Sequence, residues 1–480
     1  MKSGNKKNSS TKACSINLSD LQEHIRKAYL ADDRPWVIGY SGGKDSTCTL
    51  QLIWAAVGTL SVKKRRKPIF VLSSDTLVET PVIVNYIDET LSKINSAAEI
   101  QQMPISAQKV IPEIADSFWV NLIGRGYAAP SKRFRWCTER LKINPANAFI
   151  KNCVAEYGEV VMVLGVRYSE SATRAQVMSL HKIRGTSLSR HSTLPGAFVF
   201  TPIEAFSVDD VWAFLLQNQS PWGSDNRDLL AMYRNAQAGE CPLVVDTRTE
   251  SCGNSRFGCW VCTVVTKDKA MEALVDNGEE WLEPLLDLRD ELAETQDPER
   301  KREFRDFKRR SGSVTFVGDS ETSIPGPYLF SYRKELLRKL LEAQEQVNAE
   351  ASPGEKVVLI LDEELREIRR IWRSEEGDWG DSVSRIVETV TGRALPTEAI
   401  DDFEFQIEDA RVLEEVCNKH DLQPRLMARL LEAERSMYGF KRRTLIHRKI
   451  ASILEEEWRD EATVLDERKQ YLKRRRRLSS

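Results

Sequence analysis

The chain has 480 residues, of which 41% are hydrophobic and 30% charged, and its formal net charge is −2. These proportions are typical of a globular protein of two or three domains, and the near-neutral charge excludes a global electrostatic attraction to nucleic acid. The polar, basic start has no apolar core and no apolar run reaches membrane-spanning length, so we expect a cytoplasmic protein without a membrane partner. We expect residues 1–17 to form a disordered tail.

A helix, a strand and a glycine-rich turn are the first predicted elements. Ser19 and Gln22 have the spacing of a capping box, which predicts the start of a helix. Val37 and Ile38 predict a buried strand, and the sequence SGGKDS at 41–46 follows it and opens a second helix. Adjacent glycines allow a tight turn whose N–H groups, together with the positive end of the helix, bind an anion. The turn therefore predicts a phosphate site.

The residue types in this turn favour ATP as its ligand. Lys44 supplies a positive charge, and Asp45 can hold a Mg²⁺ ion that bridges phosphate oxygens. The spacing fits neither a Walker A loop nor a dinucleotide fingerprint. A strand followed by SGGKDST instead resembles the PP-loop of the N-type ATP pyrophosphatases, which cleave ATP between its α- and β-phosphates. The residues predicted to bind the nucleotide here are Ser41, Gly42, Gly43, Lys44, Asp45 and Ser46.

Further apolar runs predict strands at 69–72, 100–105, 160–164 and 198–201. The alternation of strands and helices predicts an α/β fold with a doubly wound, parallel, five-stranded sheet, whose ligand lies at the carboxyl ends of the strands.

Three polar residues follow those strands. Asp75 comes after the second strand, Arg167 after the fourth, and Arg174 lies a little further on. We predict that Asp75 contacts the nucleotide and that the two arginines clamp a phosphate or sulfonate. Ser207 and Asp210 form a second capping box, and the helix that they begin is assigned to the core.

Residues 131–142 are rich in cations and contain two aromatic residues, Phe134 and Trp136, followed by Cys137. Cations lower the pKa of a neighbouring thiol and attract an anionic substrate, so Cys137 is a candidate nucleophile. The alternative is a solvated basic loop with a small buried cysteine.

Five motifs now occur in a defined order: SGGKDS, the strand end at Asp75, RWCTERLK, GVRYSES with Arg174, and PIEAFSVDDVW. Together they resemble the phosphoadenylyl-sulfate reductase branch of the PP-loop superfamily over about residues 20–265. The resemblance implies an adenine nucleotide alpha hydrolase-like fold with the strand order 3-2-1-4-5, helices on both faces of the sheet, and ATP or an adenylylated anion over 41–46.

Four cysteines lie within twenty-two residues, and the last two form a C-x-x-C pair. Such cysteines can converge on one metal centre. The resemblance above favours a [4Fe–4S] cluster, because several of the relatives carry one, with a structural zinc ion or a dithiol redox pair as alternatives. The predicted ligands are Cys241, Cys252, Cys259 and Cys262. Cys137 could replace Cys241 as the fourth ligand; otherwise it can carry a persulfide sulfur. Cys48 and Cys153 are assigned to packing.

The sequence from 267 onward lacks strand patterns and has long charged segments with helical apolar spacing, including a helix predicted to be capped by Asp362. Two basic runs, 301–310 and 473–477, are either solvated surfaces or nucleic-acid contacts. We therefore predict a PP-loop ATP pyrophosphatase domain at 18–235, a cysteine-rich iron–sulfur segment at 236–266, and a mostly helical domain with a basic tail at 267–480.

The sequence CGNSRFGCWVCTVV, followed by GPYLFSYRKELLRKLLEAQ, resembles the DndC family of sulfurtransferases. That family replaces a non-bridging phosphate oxygen of DNA by sulfur, a phosphorothioate modification. The resemblance implies DNA as the substrate, and a cysteine desulfurase and DndD- and DndE-like components as partners.

We therefore expect an enzyme that uses ATP to adenylate a DNA phosphate oxygen and then replaces this oxygen with sulfur. The candidate catalytic residues are Lys44, Asp45, Cys137, Arg167 and Arg174. The alternatives are a reductase of adenylylated sulfate, a tRNA thiolase, and a non-catalytic iron–sulfur scaffold within a DNA-modification assembly.

Overall fold

The computed structural model describes residues 17–170, 182–183, 185–191, 193–235, 258–350, 356–396, 405–437 and 444–479. The chain divides into two compact units. The first contains Met1–Pro112, Thr138–Cys259 and Asp268–Gly278, and the second contains Glu113–Cys137, Trp260–Lys267 and Glu279–Ser480. Residues 1–16 of the predicted tail lie outside the described residues, and the predicted domain boundaries stay predictions.

A six-stranded sheet forms the centre of the first unit. Its strands are β1 Trp36–Gly39, β2 Ile69–Ser74, β3 Ile105–Val110, β4 Val160–Val163, β5 Leu188–Arg190 and β6 Ala197–Phe200. They lie in the order β3-β2-β1-β4-β6-β5, in which only β5 is antiparallel to its neighbour. Because β1 pairs with both β2 and β4, the carboxyl ends of these three strands lie at one edge of the sheet.

The predicted parallel sheet is confirmed, with β6 as its fifth parallel strand. The antiparallel strand β5 is an addition that the sequence pattern does not predict, because its three residues contain no apolar run. The third strand was predicted too early. Ile100 ends a helix and is 82% exposed, whereas the strand begins at Ile105.

Helices cover both faces of this sheet. They are α1 Leu18–Leu30, α2 Lys44–Gly58, α3 Pro81–Ile100, α4 Asn144–Tyr157, α5 Val208–Gln217, α6 Asn226–Asn235 and α7 Lys269–Asp276. Side chains alternate along β1: Trp36 and Ile38 pack in one core with α1, α2 and α3, whereas Val37 packs in a second core with α4. Cys48 and Cys153 are buried in these two cores, as predicted.

Two capping predictions for the first unit have different outcomes. The capping box of Ser207 and Asp210 is present at the start of α5. The one predicted at Ser19 and Gln22 is wrong, because the side chain of Asn17 caps α1 and accepts a hydrogen bond from the Ser19 N–H at 3.0 Å.

Helices make up most of the described part of the second unit, which confirms the predicted helical C-terminal region. They are α8 Glu283–Glu294, α9 Lys301–Phe304, α10 Phe330–Glu350, α11 Asp362–Ile371, α12 Ser382–Thr391, α13 Ile407–Lys419, α14 Pro424–Arg435, α15 Thr444–Leu454 and α16 Glu461–Ser479. Leu336, Leu337 and Leu340 of α10 are fully buried. Within the described residues, no helix combines the length and apolarity that a membrane span requires.

Short helical turns connect several of these elements. The 3₁₀ turns are Val62–Lys64, Ile114–Asp116, Tyr168–Glu170 and Glu280–Leu282, and the π-helical turns are Val120–Gly124, Thr138–Ile143 and Trp372–Glu376.

The start of α11 contains a buried carboxyl group. Asp362 does not cap this helix as predicted; it is the first helical residue, and its carboxylate contacts Arg393 at 2.7 Å. The Glu364 side chain instead accepts a hydrogen bond from the Leu361 N–H at 2.9 Å. Burial raises the pKa of Glu364 to about 7, although the Leu361 N–H lowers it.

This pKa leads to a testable pH dependence. Because the folded chain holds the Glu364 proton more tightly than the unfolded chain, the stabilisation is complete below about pH 4.5 and is lost as the pH rises through 7. Glu364→Gln keeps an acceptor for Leu361 without a charge, so it should raise the free energy of unfolding by up to ~3 kcal/mol at pH 8 and change it little at pH 4.5.

Urea unfolding of both proteins at the two pH values measures this difference. Glu363→Gln is the control, since Glu363 lies in the same turn and its side chain is 58% exposed. Equal effects of the two substitutions at pH 8 would show that burial of Glu364 is not the cause.

Candidate active site

The turn between β1 and α2 lies at the carboxyl edge of the sheet. Gly42 has φ +70°, a conformation that favours glycine, and a Cβ atom at this position would lie 2.3 Å from Cδ1 of Ile87. The turn is thus packed directly against α3. This explains why a glycine is required at the point where the chain changes direction.

Hydrogen bonds within the turn hold its two serines together. The Ser46 hydroxyl donates to the Gly43 carbonyl at 2.9 Å and accepts from the Ser41 N–H at 3.2 Å. The Ser41 and Ser46 hydroxyl oxygens are 3.3 Å apart. Gly43, the N-cap of α2, has no side chain that could accept hydrogen bonds from the first N–H groups of the helix, although the Lys44 N–H donates to the Tyr233 hydroxyl at 3.3 Å. An anion is a suitable acceptor for them.

The Asp45 carboxylate is paired with two cations. Nε of Arg167 lies 2.7 Å from Oδ1, and Nζ of Lys44 lies 3.0 Å from Oδ2. The side chain of Arg167 is 5% exposed, so this is a largely buried ion pair, and loss of either partner would leave an uncompensated charge. Arg167 also donates to the Ser169 hydroxyl at 3.0 Å.

A close backbone contact makes this ion pair possible. A Cβ atom at Gly165 would lie 2.7 Å from the carbonyl oxygen of Asp45, so only glycine allows the end of β4 to approach the start of α2 this closely. Arg167 follows two residues later. The sequence GVR therefore places its guanidinium group against the turn.

A cavity of about 290 Å³ lies beside the turn, at the carboxyl ends of β1 and β2. Its apolar wall includes Leu72, Ile83, Val84 and Ile87, and its polar lining residues are Ser41, Ser73, Ser74, Asp75, Glu79, Lys109 and Lys142. A mostly apolar cavity with a few convergent polar groups is typical of a small-molecule site. Its position agrees with the rule that ligands bind at the carboxyl ends of parallel strands.

Asp75 lines this cavity and is fixed by neighbouring groups. Its Oδ1 accepts a hydrogen bond from the Leu77 N–H at 2.9 Å, and its Oδ2 lies 3.1 Å from Nζ of Lys109. Lys109 also contacts Asp88 at 2.7 Å. Burial lowers the pKa of Lys109, but the bonds to the two aspartates outweigh burial, so the pKa is raised and the amine stays charged.

Cys259 lies beside the polar wall of the cavity. Its Sγ is 3.3 Å from the Thr76 hydroxyl and 3.6 Å from Oε1 of Glu79. Glu79 lines the cavity and its Oε1 also lies 3.6 Å from Nζ of Lys142. Cys259, one of the predicted cluster ligands, thus contacts a residue that lines the cavity.

The remaining predicted residues are distributed as follows. Arg174, Cys241 and Cys252 lie outside the described residues. Cys137 and Cys262 belong to the second unit and are half-buried, and the Cys262 carbonyl accepts a hydrogen bond from Nε of Arg289 at 3.1 Å. Within the part of the chain that the structure describes, no three His, Cys, Asp or Glu side chains form a metal-binding group. The cluster ligands therefore stay predictions.

Sequence reasoning missed several residues that shape the site: Gly165, Glu79, Lys109, Lys142 and Tyr233. Glu79 could have been found from the sequence, since it stands two residues before Pro81, the proline that begins α3. Lys109 was missed because the third strand was predicted at 100–105, whereas Lys109 lies on β3, which spans Ile105–Val110. Tyr233, whose hydroxyl accepts a hydrogen bond from the Lys44 N–H at 3.3 Å, has no local signal, because almost two hundred residues separate the two.

The conformation of the turn can be tested at Gly42. Gly42→Ala should lower the free energy of unfolding by ~2 kcal/mol or more, because alanine disfavours the positive φ and its methyl group would overlap Ile87. Gly58→Ala is the matched control, since Gly58 ends the same helix and its added Cβ would meet nothing within 4 Å. Urea unfolding should find the control within ~1 kcal/mol of the native chain. Equal effects would contradict the packing of the turn.

Residues 35–264 match the family described as phosphoadenosine phosphosulfate reductase domain. An uncharacterized protein of Methanocaldococcus jannaschii is 28% identical over 198 residues, which are 41% of this chain and 35% of that protein. The chain thus matches about a third of the length of this curated relative.

Two solved structures resemble parts of the chain. A phosphoadenylyl-sulfate reductase from Candida auris, in a phosphate complex, is 14% identical with a TM-score of 0.28, covering 47% of this chain and 95% of that one. The U34-tRNA thiolase NcsA from Methanococcus maripaludis, with its [4Fe-4S] cluster, is 13% identical with a TM-score of 0.28, covering 58% of this chain and 78% of that one. Residues 35–264 of this chain are thus similar to the phosphoadenosine phosphosulfate reductase domain.

Proposed function

We propose that the chain is an ATP-dependent sulfurtransferase that modifies a backbone phosphate of DNA. A non-bridging phosphate oxygen of the DNA attacks the α-phosphorus of ATP, and pyrophosphate leaves. Sulfur at the oxidation level of sulfide then attacks the DNA phosphorus, a P–S bond forms, and AMP leaves with the original oxygen. A persulfide donor would additionally require a thiol to break the remaining S–S bond.

The observation that carries the proposal is the uncapped start of α2 beside the cavity. The turn offers backbone N–H groups and two serine hydroxyls to an anion, and Lys44 adds a charge on the same side. These groups would hold the β- and γ-phosphates and stabilise the pyrophosphate that leaves. The apolar wall of the cavity suits the adenosine part of ATP, which would then lie along the carboxyl edge of the sheet.

Asp45 would hold Mg²⁺, which supplies charge neutralisation between the phosphates. Both of its carboxylate oxygens already contact a cation, so the residue fits this role only if Lys44 turns away. The phosphates would attract Lys44 in that direction. Arg167 would meanwhile keep the carboxylate in place through its contact with Oδ1.

The position of Cys259 supports sulfur transfer rather than adenylation alone. Its thiol lies next to Glu79, which lines the cavity, so a sulfur atom held there would be close to the nucleotide. The [4Fe–4S] proposal rests on the four-cysteine spacing together with the resemblance to phosphoadenylyl-sulfate reductase relatives, several of which carry such a cluster, and a cluster would supply a site for such a sulfur. Cys137 remains the alternative carrier. A cysteine desulfurase is the proposed source of the sulfur, with DndD- and DndE-like proteins as further partners.

DNA as the substrate rests on the resemblance to DndC of the PP-loop domain, the cysteine segment 252–265 and the segment 326–344 that leads into the helical region. Two alternative functions would use the same site. A tRNA thiolase would share the activation by ATP, and a reductase of adenylylated sulfate would bind its nucleotide in the same cavity. The comparison of DNA, tRNA and adenylyl sulfate as accelerators of AMP formation separates the three.

Loss of the Asp45 carboxylate should stop the first half-reaction. Asp45→Asn removes the proposed Mg²⁺ ligand and the charge that pairs with Arg167, so release of pyrophosphate from ATP in the presence of DNA should fall at least ~100-fold. Asp209→Asn is the control, since Asp209 is exposed at the start of α5. Chromatography of labelled nucleotides measures the products. Wild-type formation of ADP, or undiminished pyrophosphate release by the variant, would contradict the proposal.

The cluster assignment has its own test. Cys262→Ser should lose the visible iron–sulfur absorbance and most of its iron, because one of four proposed ligands is removed. Cys153→Ser replaces a buried packing cysteine of α4 and should keep both. Iron and zinc are measured on anaerobically purified protein. Zinc in the wild-type chain, or unchanged iron in Cys262→Ser, would refute the assignment.

A further inference from the structure

The second unit carries an exposed basic and aromatic surface, which we call the Tyr127 surface. It consists of Tyr127, Lys132, Arg133, Phe134 and Arg310. Lys132 and Arg133 occupy the tip of a tight turn, closed by two hydrogen bonds between Ser131 and Phe134 at 3.1 and 3.2 Å. This turn belongs to the cation-rich residues 131–142, whereas Arg310 belongs to the separate basic run at 301–310.

Tyr127 joins the two segments. The Arg310 guanidinium group lies 5.0 Å from the centre of the Tyr127 ring and donates a hydrogen bond to its hydroxyl at 2.6 Å. The ring of Phe134 lies 6.3 Å from that of Tyr127 on the side of the turn. Cations that are far apart in the sequence thus share one aromatic platform.

The platform is anchored in the core of the second unit. The Tyr127 ring meets the edge of Trp136 at 5.5 Å, and Trp136, which is 8% exposed, stacks on Phe118 at 5.4 Å. The Trp136 indole N–H also donates to the Ala128 carbonyl at 3.0 Å. The surface residues are therefore held in place before any ligand arrives, which lowers the entropic cost of binding.

The charges of this surface have no acidic partner among the described residues, since Lys132, Arg133 and Arg310 form no ion pair there with an acidic side chain. Glu456, a half-buried acid whose side chain lies beside Gly312, is itself paired with Arg429 at 2.5 Å. In the other basic run, at 473–477, Arg475 is paired with Asp319. The Tyr127 surface is therefore the better anion site of the two.

Phe134 indicates which kind of anion fits. Its side chain is 47% exposed although it is a large apolar ring, and it lies between Arg133 and Arg135 at the edge of the platform. An exposed aromatic ring among cations is the arrangement that binds single-stranded nucleic acid, where a base stacks on the ring and the cations contact the flanking phosphates. A paired base inside a duplex cannot reach such a ring.

We propose that the Tyr127 surface binds single-stranded nucleic acid, with Lys132, Arg133 and Arg310 on the phosphates and one unpaired base stacked on Phe134. This inference deepens the proposed function and rests on it only for the identity of the strand as substrate. It implies that the substrate is presented with at least one base out of the helical stack. The near-neutral chain would then attract nucleic acid through a local surface.

Fluorescence anisotropy tests this proposal without ATP. The full chain is titrated into a labelled 20-nucleotide oligothymidine, a DNA duplex of the same length, and a single-stranded RNA. We expect the single-stranded DNA to bind at least tenfold more tightly than the duplex. Tighter binding of the duplex, or no binding of any single strand, would overturn the proposal. Tighter binding of RNA than DNA supports the surface and directs the proposed function toward RNA.

Substitutions assign the binding to the surface. Arg133→Gln with Arg310→Gln should weaken single-strand binding and lower the slope of log affinity against log salt by about 1.4, because each phosphate contact contributes about 0.7. Lys63→Gln with Lys64→Gln removes two exposed cations of the first unit and should leave the slope unchanged. Equal slopes in the two variants would overturn the assignment.

Phe134→Ala isolates the stacking contact from charge. It should weaken binding of the single strand by at least fivefold and leave duplex binding unchanged, with an unaltered salt slope. An unchanged single-strand affinity would overturn the stacking. Melting temperatures of all variants verify folding. AMP formation from ATP in the presence of DNA and a sulfide source is measured in parallel: its absence with intact single-strand binding would refute the proposed function and leave this inference standing, and the converse result would refute the inference alone.

Discussion

The contact between the end of β4 and the start of α2 is the constraint on which the site depends. Gly165 allows the two backbones to approach, and Arg167 then reaches Asp45 with its Nε 2.7 Å from the carboxylate. Because this pair is largely buried, neither charge can be removed without leaving the other uncompensated. The orientation of the turn is therefore fixed by a residue more than one hundred positions away in the sequence.

The parallel sheet converts this local contact into a site. β1 lies between β2 and β4, so the residues that follow the three strands meet at one edge. The turn after β1 supplies anion-binding groups, the end of β2 supplies Asp75, and Lys109 on β3 holds Asp75 in position. Apolar side chains of α3 complete the cavity. These groups lie far apart in the sequence, and the order of the strands in the sheet brings them together.

Much of this arrangement could be predicted from the sequence. The glycine-rich turn after β1 has a short local pattern, and the parallel strands have β-branched runs between helices, so the sequence predicts both. Two predictions from local patterns were wrong, the cap at Ser19 and the strand that began at Ile100. Asn17 competes successfully with Ser19 for the start of α1, and Ile100 stays exposed at a helix end although it is strongly apolar.

Other features could not be predicted, because they depend on residues that meet only in the folded chain. Tyr233 reaches Lys44, and Cys259 reaches Glu79, through the tertiary fold. The same holds for the second unit, where Arg310 and the turn at 131–134 meet on Tyr127. A basic run is ambiguous in a sequence. Its meaning depends on which aromatic and acidic side chains surround it.

The proposed function requires the turn after β1 to hold the phosphates that leave ATP. A crystal structure of the chain with an ATP analogue whose α- and β-phosphorus atoms are joined by a methylene group would reveal where the triphosphate binds. We predict that the β- and γ-phosphates lie within hydrogen-bonding distance of the backbone N–H groups of residues 42–46, with adenosine in the cavity lined by Leu72 and Ile83. A triphosphate bound elsewhere, with this turn unoccupied, would contradict it.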